Sequence, residues 1–205
     1  TEVSLSYHYA FANGSGTTCS TSTGWWLPLE SNTTPLRRSN RWRDHDYRTA
    51  SSYFVTICTA SRHQHFGAVE NAAMVLSDFG SIADQEWLRS CELRQSVVPH
   101  LYCVMPNHVH LLFSINKEGE EDTNTLPHSQ RGLQADSVGS IVGGYKAAVS
   151  RAIRIACGDS TFQIWQRNYH DHVVRNEKDF DRIAEYIVNN PAVWENDRFH
   201  PDMPW

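Results

Sequence analysis

The chain has 205 residues, 40% of them hydrophobic and 20% charged, which fits one globular domain plus extensions and excludes a wholly disordered chain. No apolar run reaches the roughly 20 residues that span a bilayer, and the first residues lack the basic-then-apolar pattern of a secretory signal. A formal net charge of −5 argues against a uniformly basic nucleic-acid binder, though local basic patches still suffice to hold phosphates.

Residues 1–36 are rich in Ser, Thr and Gly, carry the pair Trp25-Trp26, and show no sustained period of 2 or 3.6. They read as an irregular or disordered N-terminal extension. Residues 37–48 follow with five arginines against two aspartates. Arg37, Arg38, Arg41 and Arg43 interleave there with Trp42 and Tyr47, a pattern suited to phosphates and base stacking. Tyr53 to Thr59 is β-branched and aromatic and reads as a buried strand. Phe66 to Leu76 reads as a hairpin turning near Glu70-Asn71. Ser77 is a plausible N-cap for a helix to about Arg94, with Phe79, Ile82, Ala83, Trp87 and Leu88 as its apolar stripe.

Val97 to Val104 reads as a strand, and Pro106-Asn107, within the run Met105 to Ile115, as a turn before the strand that carries His108 and His110. Residues 116–136 hold Glu118, Glu120, Glu121 and Asp122 and read as a flexible, solvated loop. Val138 to Ala156 reads as a second helix, loosened by Gly139, Gly143 and Gly144. Ile164 to Val174 reads as a further strand. Asn176 caps a last helix to Asn189 or Asn190, where Pro191 stops it. The order predicts an α+β, ferredoxin-like sandwich: a central antiparallel sheet with flanking helices on one face. The five cysteines, Cys19, Cys58, Cys91, Cys103 and Cys157, form no Cys-x-x-Cys pair. Neither a disulfide framework nor a thiolate zinc site is expected, and a reducing cytoplasm fits best.

The most informative residues are His108-Val109-His110. Residues two apart on a strand share a face, so both imidazoles project together. Neutral imidazole is the commonest metal ligand, so the pair suits a divalent cation. On the last helix Tyr186 and Asn190 are four apart and stack on one ridge. Two imidazoles, an amide oxygen and a phenol make a sensible set for cutting a phosphodiester. A cation polarises the phosphate, and tyrosine attacks to leave a covalent phosphotyrosine.

The runs MPNHVHLLF, GSIVGGYKAAVSRAIR and IWQRNYHDHVVRNEKDFDRIAEYIVNNPAVW, in this order over roughly residues 37–200, resemble the REP-associated tyrosine transposases, a single-tyrosine branch of the HUH nucleases. The resemblance implies a ferredoxin-like core, a Mg²⁺ or Mn²⁺ site, and cleavage of single-stranded DNA beside hairpins. It places the metal ligands on His108, His110 and Asn190, the latter often Gln in related insertion-sequence transposases, and the nucleophile on Tyr186. It also implies a transposase domain over 37–200, a short tail over 201–205, and action as a monomer or homodimer.

Competing readings bear on several residues. The His pair on its own fits solvent-facing strand residues equally well. Tyr186 can be an ordinary core-edge tyrosine. Tyr145 and Tyr169 are rival nucleophiles, Tyr145 being read as a DNA contact beside Lys146. His170-Asp171-His172 is a second His-x-His, from which His172 is held as an active-site neighbour. Lys146, Arg151 and Arg167 are expected DNA contacts. Two other functions stay open: a hairpin-DNA or RNA binder with a vestigial site, and a metal phosphoesterase using activated water.

Overall fold

The computed structural model describes residues 51–116 and 136–203. The N-terminal extension, the arm with Arg37, Arg38, Arg41 and Arg43, and the acidic run from Glu118 to Asp122 lie outside the described residues. Four strands form one antiparallel sheet: β1 (Ser51–Cys58), β4 (Val97–Met105), β5 (His108–Ile115) and β6 (His170–Val174), in the spatial order β4-β5-β1-β6. A two-stranded hairpin, β2 (Gly67–Glu70) with β3 (Ala73–Leu76), branches off between β1 and the first helix. Its turn residues Asn71 and Ala72 both have positive φ, as a two-residue type I′ connection requires.

The helices α1 (Asp78–Glu92) and α2 (Val138–Cys157) are the two crossovers of the ferredoxin-like pattern, each running from one sheet strand to the next. Their starts are set by local chemistry. Ser77 accepts from Gly80 N and Ser137 from Ser140 N, each filling an orphan donor of the first turn. Gly158 ends α2 in the left-handed region. Both helices bury their apolar stripes against Tyr53, Val55, Ile57, Val109, Leu111, Phe113 and Ile115, one face of the sheet. Trp87 anchors this core, its ring 5.5 Å from Phe113 and 5.8 Å from Tyr145. Leu88 turns outward, 46% exposed, and Ser90 takes an inward position instead. The helical stripe is thus rotated slightly from the predicted one.

The last helix, α3 (Glu177–Asn189), departs from the expectation of helices on one face. It packs on the opposite face, where Ile183 and Ile187 meet Leu112, with Phe54, Leu101 and Phe180 around them. Strand β5 is therefore covered on both sides, every residue but Ser114 being buried. The α1/α2 face carries Val109, Leu111, Phe113 and Ile115, while the α3 face carries His108, His110 and Ser114 with Leu112 as its apolar contact to α3. Asn176 accepts from Asp179 N, and Asp179 Oδ2 accepts in return from Arg175 N, a reciprocal cap at the start of α3.

The strand expected over Ile164 to Val174 is shorter. Only His170–Val174 pairs along β1, while Trp165 makes a single bridge to Thr59. The backbone of residues 164–166 serves instead as a clasp: Ala60 N donates to Ile164 O and Gln166 N to Cys58 O. Among the described residues no helix is long and apolar enough to cross a membrane.

Candidate active site

The register fixes the histidines. His108 sits opposite Cys58 on β1 and Met105 on β4, and His110 sits opposite Thr56 and Cys103. Val109 and Leu111 enter the core under α1 and α2, so both imidazoles face α3. The rings are fully buried. Their Nε2 atoms lie 2.9 Å apart, while the outer nitrogens reach neighbours: His108 Nδ1 to Asn107 Oδ1 at 2.9 Å and His110 Nδ1 to Thr56 Oγ1 at 2.9 Å.

The helical spacing brings Tyr186 and Asn190 to the same place. The Tyr186 ring centroid lies 5.1 Å from that of His110 and 6.1 Å from that of Phe54. Asn190 is fully buried at the C-cap of α3. Its Oδ1 is buried with no hydrogen-bond partner, though it lies near enough to His108 to favour the protonated imidazole slightly.

A residue that the sequence reading missed completes the cluster. Beyond Pro191 the chain makes a 3-10 turn (Pro191–Asn196) and folds back, burying Asp197, Phe199 and Trp194. Asp197 Oδ2 accepts from the Tyr186 hydroxyl at 3.1 Å and from Asn190 Nδ2 at 2.8 Å, and Oδ1 accepts from Phe199 N at 2.6 Å. His108, His110 and Asp197 offer ligand atoms all within 4.8 Å of one another. Phe199 covers His108 with ring centroids 4.6 Å apart. Arg198 and Arg62 each stand over the Phe199 ring, 4.5 and 5.5 Å from its centroid. The sequence signal for Asp197 was faint, because a 3-10 turn has no period that aligns residue 197 with residue 190.

Burial decides the charge states. It pushes the His108 imidazole down to about 3, helped by the cations Arg198 and Arg62. Burial also takes His110 well below its usual value, with His108 adding to the shift. Both rings are therefore neutral at pH 7, the form in which imidazole binds a metal. The Tyr186 phenol is raised well above its ordinary range, by burial first and then by the charge and hydrogen bond of Asp197.

Other expected site residues stand elsewhere. His172 bonds Asp179 at 2.7 Å at the start of α3, and on β1 it pairs with Phe54, one row from Thr56 and His110. Tyr145 is fully buried and donates to Ala83 O, so it is a core residue rather than the DNA contact expected. Tyr169 precedes β6 and packs against the core under α1 and α2. Lys146 is half-buried and spends its ammonium on the carbonyls of Gln166 and Arg167, at 2.6 and 3.3 Å. With exposed Arg151 and Arg167, and with Arg154 and Trp165, it lines a shallow concavity along α2. Lys146 and Arg151 lie on α2, which covers the face of the sheet opposite α3.

No family model matches the chain. An uncharacterized protein of Haemophilus influenzae is 36% identical over 172 residues, 81% of this chain and 94% of that protein. A second protein of the same organism, described as a "putative REP-associated tyrosine transposase", is 22% identical over 175 residues, 77% of this chain and 85% of that protein. Among solved structures, a REP-associated tyrosine transposase bound to a REP hairpin matches with a TM-score of 0.52 and 18% identity, covering 77% of this chain and 73% of that one. That last likeness shows the shared fold. With one curated relative of that description and a solved structure of that kind sharing its fold, the chain is similar to the REP-associated tyrosine transposases.

Proposed function

We propose that this chain is a transposase-type endonuclease that cleaves and rejoins single-stranded DNA beside hairpins, through a 5′-phosphotyrosine on Tyr186. The observation that carries the reading is the convergence of Tyr186, Asn190, Asp197, His108 and His110 in one buried cluster. The hairpin bound to the structural neighbour named above supports the substrate class. The domain carrying the activity is taken as residues 37–200, with the basic arm and Lys146, Arg151 and Arg167 as DNA contacts.

The donor set fits a divalent cation: the buried carboxylate and the buried amide oxygen that lacks a partner suit Mg²⁺ or Mn²⁺, and two neutral ring nitrogens complete the set. His108, His110 and Asn190 would hold the ion, with Asp197 the fourth oxygen or nitrogen donor at hand. When bound, the cation supplies positive charge that polarises the scissile phosphate. Tyr186 Oη attacks phosphorus, the P–O3′ bond breaks, and the 3′ hydroxyl leaves. Asp197 already accepts the phenol's hydrogen bond and is placed to receive its proton and pass it on to the departing 3′ oxygen. Phe199 and Trp194 keep water from the histidines, and both must shift before DNA reaches them.

That enclosure favours one second reading, hairpin binding without catalysis. A labelled single-stranded hairpin incubated with Mn²⁺ or Mg²⁺ tests both. A covalent adduct made by the wild type and lost in Tyr186→Phe supports cleavage. Tight hairpin binding with no adduct at any metal concentration supports the second reading.

A further inference from the structure

We propose that Asn107 is a positioning residue that fixes the His108 ring, so that Nε2 and not Nδ1 faces the cluster as a lone-pair donor. The inference rests on the metal site proposed above and extends it to a residue that the sequence marks only as part of a turn.

Asn107 is fully buried, and its amide nitrogen is committed twice, donating to Phe199 O at 2.7 Å and to Arg62 O at 3.2 Å. An amide nitrogen has two hydrogens, so both are used. Oδ1 is thereby turned toward His108 Nδ1, 2.9 Å away. An amide oxygen only accepts, so His108 Nδ1 carries the hydrogen and Nε2 is left bare. Histidines that bind metals are oriented in this way, by a carbonyl or carboxylate that holds the other ring nitrogen.

The same side chain ties three separated segments together. Through Arg62 O it holds the turn after β1. Through Phe199 O it holds the return segment that carries Asp197 and covers His108. Thr59 reinforces the arrangement: its N donates to Asn107 O at 2.8 Å, and its single hydroxyl hydrogen is shared between His63 O at 2.7 Å and Asn107 O at 3.0 Å. Backbone and side chain of Asn107 are therefore fixed independently of any ligand, and the first imidazole is preset before an ion arrives.

Two measurements on the full chain decide the matter: the His108 tautomer by ¹⁵N ring NMR without metal, and Mn²⁺ affinity by calorimetry, with His108→Ala as the reference for loss. The wild type is expected as the Nδ1–H tautomer. Asn107→Ala is expected to lose that preference and to bind Mn²⁺ about 10- to 100-fold more weakly. Asn107→Asp keeps an acceptor for His108 but cannot donate to Phe199 O or Arg62 O. It is expected to retain the tautomer and most of the affinity, which a purely structural role would not allow. A wild-type His108 protonated at Nε2 overturns the inference, and so does an Asn107→Ala protein with unchanged tautomer and affinity within twofold. Should Asn107→Ala fail to fold, Asn107→Ser takes its place under the same criteria, and the wild-type spectrum decides in either case. A wild type that binds no Mn²⁺ overturns the metal site itself, leaving the tautomer measurement to judge Asn107.

Discussion

The carboxylate of Asp197 lies 3.1 Å from the phenol oxygen of Tyr186 and takes its hydrogen bond. One acidic side chain thus holds the candidate nucleophile, the Asn190 amide and the backbone of Phe199 at once. Asp197→Ala leaves several buried donors without an acceptor, at roughly 1–3 kcal/mol for each one that water cannot reach. The expected loss is about 2 kcal/mol or more by urea denaturation, with Mn²⁺ binding weakened at least tenfold. A variant as stable as wild type would show that the return segment is only loosely held.

Neutral buried histidines make the fold sensitive to acid. His108 stays unprotonated in the folded chain down to about 3, and His110 is shifted in the same direction, whereas both take a proton below about 6.5 once unfolded. The unfolded state then binds more protons, so stability falls as pH drops from about 6.5 toward 3 and is flat on this account above 6.5. Urea midpoints at pH 7.5, 6 and 5 should decline in that order. Replacing both histidines by Asn should flatten the decline below pH 6.5.

Tyr145 is a structural tyrosine. Tyr145→Phe removes the hydrogen bond to Ala83 O and should cost about 1 kcal/mol. Hairpin affinity should not change, which a gel-shift titration checks.

Gly80 is held to glycine by crowding. A Cβ there would lie 2.1 Å from Phe66 O. Although alanine is the better helix former by about 1 kcal/mol, Gly80→Ala should lower stability by about 1–3 kcal/mol through overpacking. A thermal melt that rises instead would show that the loop before β2 yields freely.

The exposed arginines of the α2 concavity give a salt-dependent prediction. Arg151→Ala and Arg167→Ala should each weaken hairpin binding across sequences and lower the slope of log affinity against log salt by about 1. Slopes equal to wild type would place the DNA on another surface.

Much of this molecule was readable along the chain because its signals are local. Ser77 and Asn176 announce helix starts by side-chain capping. The two-residue period puts His108 with His110, and the four-residue period puts Tyr186 with Asn190. The outer parts of the candidate site were not readable. Thr56 and Asn107 look like strand and turn residues until the register places them against the imidazoles. Trp165 looks like strand until its segment proves to be a clasp. Leu88 looks like core because a stripe of 3.6 period leaves room for one residue of rotation.

By itself, then, the amino-acid order determined the elements, their caps, and the two pairs that make the inner site, since each depends on neighbours within a turn or a strand. Only the tertiary structure decided that α3 crosses to the face opposite α1 and α2, so that the tyrosine ridge meets the histidines. It alone brought Asp197 and Phe199 back over them and set α2, with Lys146 and Arg151, on the other face of the sheet. The physical reason is that β5 is apolar on one face and carries Leu112 between the histidines and Ser114 on the other. A strand of that kind requires cover on each side, but its sequence does not say which helix supplies it.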